Sequence, residues 1–551
     1  MQDYFSSFGA FNTNLVILSY IIEKELLPWI FTILVLTFFL TASLMIDQYY
    51  RFWNRRGVKQ KYTFLFTDDM TMRLLKKQSF GDMLTDIYYR FSGTRYIGFY
   101  QFHKPILLVK DPHLIRNLCI TNYRIFRDHT RILPFRCDPF WNKTIFALKG
   151  KKWKKARQQL MPLFNGRNMR NMYETTRSYA YDFTNSLVPI QTKVLEADFK
   201  ELFSKFSTEL TARVVYDIHN KSFKNVSTSF YTKLRDSNEN FGARRFIRIF
   251  LSQMCPCIGK LLNVSIFSTD LSIFFSKVTH NIMRHRERFG IEKMDLISLL
   301  MNTRNREGRR DFMRFIGETD PEEVEEDMTE ADEDLTEETI VAHAMTFFYA
   351  GFDVISTVLS FLFYELALNP DIQRRLLKDL DAWRSADNID PYKSLFGIQY
   401  LSMVISETLR KWPPCYFTER CCNETWIIKK RWANERNAWL LDGDAVWIPI
   451  WAIHRDPKHW WQPEVFDPER FSPNSHKTIE PGTFIPFGVG PRTCLGDKYS
   501  LSQIKIVVSE ILALFEVVPT NKTPKTIELN HRTLNLSPKD GLWLGLKKRF
   551  M

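Results

Sequence analysis

One cysteine near the C-terminus lies in a glycine-rich loop whose residue types could hold a reactive sulfur. The stretch Phe487–Gly496 reads FGVGPRTCLG and contains Cys494 beside its last glycine. A dinucleotide-binding loop would need glycine where Thr493 stands, and a P-loop would need lysine before serine or threonine. A zinc site would need further cysteine or histidine at short spacing. None of these patterns is complete, and a single thiolate beside Arg492 remains.

A lone cysteine thiolate is the proximal ligand that lets a haem iron activate dioxygen. Glycines would allow the backbone to approach the sulfur and to donate N–H groups to it, which tunes the potential of the iron. The guanidinium of Arg492 can pair with a haem propionate. The loop therefore predicts a haem site in which Cys494 is the metal ligand.

The loop completes the pattern F-x-x-G-x-R-x-C-x-G, and it resembles the haem-binding signature of the cytochrome P450 superfamily. The resemblance runs from about Arg51 to Phe550. The chain is most similar to the animal microsomal branch of the family, which includes drug-metabolising and insect detoxification enzymes. It implies haem b as the cofactor, with NADPH acting indirectly through a reductase. The cofactor-binding residues that it implies are Trp153, Arg157, Arg420, Phe487, Arg492, Cys494 and Gly496.

Three charged residues match a structural motif of the same family. Glu407 and Arg410 resemble its E-x-x-R motif, and this spacing puts both on one helix face. Arg470, in the later run FDPERF, resembles the arginine that completes a buried trio. Losing one partner of such a buried pair costs about 3–5 kcal/mol.

The central helix departs from the family's pattern. Members usually carry A-G-x-[DE]-T, whereas this chain reads AGFDV from Ala350 to Val354. The threonine hydroxyl that helps to deliver protons is therefore absent at Val354. Asp353 and Thr357 remain as candidate catalytic residues, and Thr357 lies about one helical turn after Asp353. A salt bridge is an equally good explanation of Asp353.

Three functions remain open. The first is a monooxygenase that inserts one oxygen atom from O2 into a lipophilic small molecule with NADPH electrons. The second is a haem-thiolate isomerase or dehydratase that acts on peroxides, which Val354 favours because this chemistry needs no proton relay. The third is a non-catalytic haem or lipid-binding protein. We favour the first, with a mainly apolar pocket that by analogy is formed by Phe135, Phe146, Tyr349, Ala350, Cys415 and Tyr416.

The elements that must position these residues follow from the hydrophobic patterns. Tyr96–Tyr100 and Ile106–Val109 are typical of a strand hairpin, and helical patterns dominate from Trp153 to about Leu380. Thr336 has the features of a helix cap before an apolar helix that ends near Leu368. Short strands are expected near 425–430 and 445–450. We predict a mainly α fold with small peripheral β-sheets, which by resemblance is the cytochrome P450 fold behind an N-terminal transmembrane helix.

The N-terminal region predicts attachment to a membrane. Leu26–Ile46 contains 21 residues without charge, enough for one bilayer crossing at ~1.5 Å per residue. Five basic residues follow closely, which favours a cytosolic body. We expect a single-pass protein of the endoplasmic reticulum membrane. Its segments are a lumenal 1–25, an anchor 26–46, a basic linker 47–61 and a cytosolic catalytic domain 62–551 with an acidic loop at 318–338.

The charge of the chain indicates its partners. Its 551 residues include 76 Lys and Arg against 62 Asp and Glu, a balance of +14, and 45% are hydrophobic, which excludes a disordered chain. Residues 149–157 contain six basic side chains, and by analogy this segment borders the proximal face near Lys498 and Lys505. We predict docking of an acidic NADPH-cytochrome reductase, a flavoprotein, and of a cytochrome b-type donor. No nucleic-acid-binding fold accompanies these residues, so no nucleic-acid partner is expected.

Overall fold

A computed structural model describes most of the chain. It covers residues 27–549 apart from 62–72, 74–77, 102–103, 131–137, 189–193, 219–229, 240–247, 250, 253–258, 260–263, 294, 305–334, 387–389, 434 and 534. The pocket candidate Phe135 and most of the acidic loop therefore lie outside the described residues.

The described residues are mainly helical. The α-helices are α1 (Leu27–Tyr50), α2 (Phe52–Arg55), α3 (Phe80–Tyr89), α4 (Pro112–Arg116), α5 (Pro139–Asn142), α6 (Gly150–Leu160), α7 (Gly166–Ser186), α8 (Phe199–Tyr216), α9 (Phe230–Glu239), α10 (Thr269–Phe289), α11 (Leu296–Asn302), α12 (Glu337–Leu368), α13 (Pro370–Ser385), α14 (Pro391–Gly397), α15 (Gln399–Lys411), α16 (Ile450–Ile453), α17 (Pro473–His476) and α18 (Asp497–Leu514). The strands are β1 (Tyr96–Gln101), β2 (Lys104–Val109), β3 (Val194–Asp198), β4 (Thr418–Cys421), β5 (Trp426–Ile428), β6 (Ala438–Leu440), β7 (Ala445–Ile448), β8 (Phe515–Pro519) and β9 (Trp543–Lys548).

Small sheets flank the helices. One sheet has the strand order β1-β2-β7-β4, in which β1 and β2 are antiparallel and β2 and β7 are parallel. A second sheet has the order β3-β9-β8, and β5 and β6 form a separate antiparallel pair. The expected mainly α fold with peripheral sheets is therefore confirmed.

Helix α1 leads directly into the body. Between Trp29 and Leu44 most of its side chains are exposed and apolar, and this stretch is shorter than a typical bilayer span. Directly after α1, Trp53 is completely buried, and its indole N–H donates to the Phe99 carbonyl at 3.3 Å. A Cβ at Gly98 would lie 2.3 Å from this indole, so the strand approaches it closely. The body thus begins just after the apolar helix ends.

Helix α12 is the central helix of the body. It begins as predicted, because the Thr336 hydroxyl accepts a hydrogen bond from the Thr339 N–H at 3.3 Å. Its length and apolarity would suit a membrane span, but 67% of its most apolar 18-residue stretch is buried inside the protein. Helix α8 packs closely against it, since a Cβ at Gly351 would lie 2.7 Å from the Thr211 hydroxyl. We therefore interpret α12 as a core helix.

Two apolar clusters meet along α12. One includes Ile340–Phe352 from its first half together with side chains of α9, α10 and α11. The other includes Ile355–Ala367 from its second half together with the sheets and α15 and α18. Where the two clusters meet, from 350 to 354, Ala350 is exposed and Val354 is only half-buried. This is the segment in which the departure from the family's pattern occurs.

Most of the predicted elements are present, and some strands were missed. The hairpin, the helix after Thr336 and short strands near 425–430 and 445–450 are confirmed. No sequence pattern predicted β3, β4, β6, β8 and β9. All of these except β6 pair with segments far away in the chain, as where Val194 lies opposite Lys547. The residues around such a strand therefore do not show which distant segment it pairs with.

Candidate active site

Two glycines bend the loop that carries Cys494. Gly488 and Gly490 have φ of 79° and 77°, a left-handed conformation that other residues rarely adopt. A side chain at Gly490 would also collide with the Cys119 carbonyl oxygen, 2.0 Å from the Cβ position. The Cys494 N–H donates to the Phe487 carbonyl at 2.9 Å and closes the loop. The glycines therefore serve to hold the cysteine in a tight turn.

Cys494 is exposed to solvent, yet surrounding protein atoms are close enough for burial to raise the pKa of its thiol. We interpret this combination as a cleft that solvent reaches. A hydrogen bond from the Gly496 backbone lowers this pKa, the charge of Asp497 raises it, and the charge of Arg157 lowers it. Gly496 is also the N-cap of α18, whose N-terminus carries partial positive charge. The Gly496 hydrogen bond, the helix N-terminus and Arg157 thus favour the thiolate and oppose the effect of burial, although the pKa of the thiol remains raised.

The central helix α12 borders the same cleft. Ala350 and Val354 share one face of α12 and are among its less buried residues. Burial raises the pKa of the Cys415 thiol to about 12, and the charges of Cys494 and Asp353 raise it as well. Cys415 therefore lies close to both the cysteine loop and α12. The cleft is bounded by these two elements.

Two arginines bind the backbone of the cysteine loop. Arg157, from α6, donates to the Thr493 carbonyl at 3.0 Å. Arg420, from β4, is buried and donates to the Val489 carbonyl at 3.0 Å. The motif arginines are thus brought together around the loop, although they are far apart in the chain.

Arg492 lies beside Trp153. Its guanidinium is 4.0 Å from the centroid of the Trp153 ring. It donates to the carbonyls of Arg127 and Leu148 at 2.8 and 2.9 Å, and its Nη2 is 3.3 Å from the Asp128 carboxylate. Burial lowers the pKa of Arg492 to about 9, while the charge of Asp128 raises it. Several of its N–H groups are therefore bound to protein acceptors.

A histidine that no motif includes belongs to the same cluster. His129 Nδ1 lies 3.1 Å from the Glu419 carbonyl oxygen. Burial lowers the pKa of His129 well below its ordinary value, and the charges of Arg420 and Arg492 lower it further. The imidazole is thus neutral at physiological pH, and the arginines carry the positive charge of the cluster. The sequence around His129 gave no sign of this position.

These residues fit a haem with one thiolate ligand. Among the described residues, no group of three His, Cys, Asp or Glu side chains is arranged to hold a metal ion, so Cys494 would be a single protein donor. A lone sulfur donor suits haem iron. The cluster of Arg157, Arg420 and Arg492 suits carboxylates such as the two haem propionates.

The predicted charged trio is assembled in the interior. Arg410 donates to both carboxylate oxygens of Glu407 at 2.7 Å, and both residues are fully buried. Arg470 Nε is 3.3 Å from the same carboxylate. Arg410 also donates to the carbonyls of His454 and Pro463 at 2.9 and 2.8 Å. The trio therefore joins α15 to the segment that precedes the cysteine loop.

Asp353 is held by residues from two distant segments. Its Oδ1 is 3.0 Å from Lys200 Nζ, and its Oδ2 accepts from the Asn535 amide at 3.1 Å. Lys200 also donates to the hydroxyls of Ser356 and Thr357 at 2.9 and 2.7 Å. The Thr357 hydroxyl donates to the Asp353 carbonyl at 2.8 Å. Asp353 and Thr357 thus share one cluster, in which Lys200 and Asn535 were not foreseen.

Three of the predicted pocket residues lie on α12 or close to it. Ala350 is exposed on α12, and the charges of Cys494 and Asp353 both act on the Cys415 thiol. Tyr349 is half-buried, and its ring meets that of Phe267 edge-on at 5.5 Å. These side chains carry no charge.

The remaining pocket residues stay predictions. Tyr416 is buried, and its ring is 5.4 Å from that of Trp451. Phe146 is exposed and nearly parallel to Trp141 at 6.4 Å. Phe135 lies outside the described residues.

The basic segment is largely on the surface, with one correction. Lys151, Lys152 and Lys154 on α6 are exposed, and so is Lys498 at the start of α18. The expectation that Lys505 lies on the same rim is wrong. Lys505 is buried, and its ammonium donates to the Phe396 carbonyl and the Ser402 hydroxyl. It faces inward because α18 packs against α14 and α15 on that side.

Comparisons with known proteins accord with this site. The family model described as Cytochrome P450 matches residues 71–544. Cytochrome P450 9e2 of Blattella germanica is 33% identical over 538 residues, which are 95% of this chain and 98% of that protein. Cytochrome P450 6k1 of the same species is 30% identical over 94% of this chain and 96% of its own length. Cytochrome P450 9b2 of Drosophila melanogaster is 29% identical over 88% and 92%.

Proposed function

Because the chain belongs to the cytochrome P450 family, we propose that Cys494 is the thiolate ligand of its haem iron. The chain is a haem-thiolate monooxygenase that uses haem b and takes NADPH electrons through a reductase. The observation that supports the ligand assignment is the Cys494 sulfur, exposed in a cleft that solvent reaches. Neither the geometry nor the names of the relatives favour peroxide rearrangement or a non-catalytic role.

The protein's own part in the reaction is to hold the sulfur as an anion. When bound, the haem supplies an iron that activates dioxygen, and its thiolate ligand favours O–O cleavage. The Gly496 N–H and the charge of Arg157 stabilise negative charge on Cys494. Trp153, Arg157, Arg420 and Arg492 would bind and orient the propionate side of the haem, and Phe487 would pack beside it.

Proton supply is assigned to the cluster around Asp353. Val354 has no hydroxyl, so the usual alcohol is missing beside the cleft. The Asp353 carboxylate is the described acid next to Val354 on α12, and its charge raises the pKa of the Cys415 thiol. Thr357 is buried, and its hydroxyl is bound to Lys200. In this proposal Asp353 moves the proton and Thr357 holds the Asp353 segment in place.

The attachment and partners follow from the N-terminal helix and the basic face. We propose that α1 anchors a single-pass protein of the endoplasmic reticulum, with residues 1–25 in the lumen and 62–551 in the cytosol. The basic segment 47–61 joins the two and packs onto the body through Trp53. The exposed lysines of α6 support docking of the flavoprotein reductase, and a cytochrome b-type donor would use the same face.

Oxygen labelling tests the activity directly. Full-length protein would be reconstituted with NADPH-cytochrome reductase and lipophilic compounds that change the haem spectrum on binding. Turnover under ¹⁸O2 should give product with one labelled oxygen and should require NADPH. NADPH-independent turnover of peroxides, without label from O2, would contradict the monooxygenase assignment.

A further inference from the structure

Helix α8 carries a lysine in its first turn, where a cation is ordinarily unfavourable. Lys200 is the second residue of α8, and the positive end of the helix dipole opposes its charge. The Asp198 side chain caps this end by accepting from the Lys200 N–H at 2.9 Å. The Phe199 carbonyl accepts from the Ser360 hydroxyl at 3.1 Å, so the first turn of α8 is fixed against α12. The lysine side chain is therefore held beside α12 despite the dipole.

The Lys200 ammonium has one side-chain acceptor for each of its three N–H groups. Asp353 Oδ1 lies at 3.0 Å, and the hydroxyl oxygens of Ser356 and Thr357 lie at 2.9 and 2.7 Å. Both hydroxyls donate to the Asp353 carbonyl, at 2.9 and 2.8 Å, which leaves their lone pairs for the ammonium. Ser356 and Thr357 are buried, and the side chains of Lys200 and Asp353 are each 15% exposed. These acceptors match the three donors of a lysine.

The Asp353 carboxylate is oriented from outside its own helix. Its Oδ1 binds Lys200, and its Oδ2 accepts from the Asn535 amide at 3.1 Å. The Asn535 backbone pairs with that of Cys415, and the charge of Asp353 raises the pKa of the Cys415 thiol. Oδ2 is thus on the side of Cys415, and Oδ1 is on the side of α8. Because Val354 has no hydroxyl, the direction of the carboxylate depends on these two remote donors.

We propose that Lys200 is a positioning residue for proton supply. Its ammonium holds the Asp353 carboxylate in one orientation, with Oδ2 directed to the side of the cleft. Lys200 acts through Asp353 and does not touch the substrate, so this inference rests on the proposed role of Asp353. Without Lys200 the carboxylate can turn away from the cleft. Two electrons from NADPH and two protons then reduce O2 to hydrogen peroxide, and less product and water are formed.

The yield of product per NADPH measures this role. Full-length holoprotein would be assayed with its reductase and a compound that the wild type oxidises in the oxygen-labelling experiment. Positioned proton transfer contributes about 10²–10⁴-fold to a rate, so Lys200→Met should lower the yield by about tenfold. Hydrogen peroxide should account for the missing electrons, and the spectral dissociation constant of the compound should not change. Lys205→Met is the matched control on α8, because Lys205 is paired with Glu201 at 2.8 Å and should leave the yield unchanged.

A double variant shows whether Lys200 acts through Asp353. In the Asp353→Asn background, Lys200→Met should lower the yield no further, and a second tenfold loss would overturn the proposal. A wild-type yield in Lys200→Met beside a low yield in Asp353→Asn would overturn this inference alone. A wild-type yield in Asp353→Asn would overturn the proposed proton supply together with it.

Urea unfolding tests the contact without any turnover. The double variant should lower the unfolding midpoint by less than the sum of the Lys200→Met and Asp353→Asn shifts, and a shift equal to the sum would refute the pairing. If Lys200→Met loses the carbon monoxide spectrum of a thiolate-ligated haem, Lys200→Gln replaces it in every comparison. Glutamine keeps an N–H donor and removes the charge, so the same direction of change is expected.

Discussion

Replacing Arg410 with leucine tests how much of the stability of the fold depends on one buried cation. Arg410 makes two bonds of 2.7 Å to Glu407, and both side chains are fully buried. It also donates to the carbonyls of His454 and Pro463. Without it, the carboxylate of Glu407 keeps Arg470 at 3.3 Å as its described cation. The variant would therefore leave a buried charge that is only partly compensated.

The structure ranks three arginine variants. Breaking a buried pair costs about 3–5 kcal/mol, a large share of a stability of about 5–15 kcal/mol. Arg470→Leu removes the longer contact to Glu407 and the hydrogen bonds to the Gln462 and Val465 carbonyls from a partly exposed side chain, and it should cost about 1–2 kcal/mol. Arg374→Leu is the matched control, because Arg374 and its partner Asp371 are both largely exposed, and it should cost about 0–1 kcal/mol.

Urea unfolding of the purified holoprotein, followed by circular dichroism and haem absorption, measures this ranking. The urea dependence increases with protein size and should exceed about 3 kcal/mol per M for this chain, so the midpoint of Arg410→Leu should fall by roughly 0.5–1 M, with smaller shifts for Arg470→Leu and Arg374→Leu in that order. Glu407→Leu combined with Arg410→Leu should cost less than the sum of the single variants. A midpoint of Arg410→Leu equal to that of Arg374→Leu would refute the reasoning.

Three further variants probe other parts of the protein. Burial lowers the pKa of His343 to about 4, so the unfolded chain binds a proton at higher pH than the folded protein does. The free energy of unfolding should therefore fall by about 3 kcal/mol between pH 7 and pH 4. His343→Leu should lack this part of the pH dependence of urea unfolding, and an unchanged pH dependence would contradict it. Lys154→Glu with Lys155→Glu should raise the reductase concentration at half-maximal rate, and unchanged reductase and salt dependence would exclude docking there. Asp353→Asn should lower product formation by about 10²-fold with an unaltered haem spectrum, whereas a rate within about twofold of wild type would remove Asp353 from proton supply.

Local sequence patterns predicted the elements and residues whose structure depends on near neighbours. The turn around Cys494 follows from glycines at fixed spacing, since Gly488 and Gly490 adopt positive φ. Glu407 and Arg410 pair because their spacing puts them on one helix face. The cap at Thr336 likewise depends only on the residues that follow it.

Contacts between distant segments could not be predicted in this way. Lys200 reaches Asp353 because α8 packs closely at Gly351, and no pattern around Lys200 indicates this contact. The neutral state of His129 depends on arginines that are remote in sequence. The charge of Lys505 predicts a surface position, but α14 and α15 pack over it and bury it. In each case the surroundings of the side chain are set by tertiary packing.

The carbon monoxide spectrum of reduced Cys494→Ser protein tests the central claim most directly. Wild-type protein supplied with haem should show the long-wavelength Soret band of a thiolate-ligated haem, because Cys494 provides the sulfur. The serine variant should keep its fold by circular dichroism and lose that band. A serine variant with the wild-type band would show that another group binds the iron, and the assignment of the active site would be wrong.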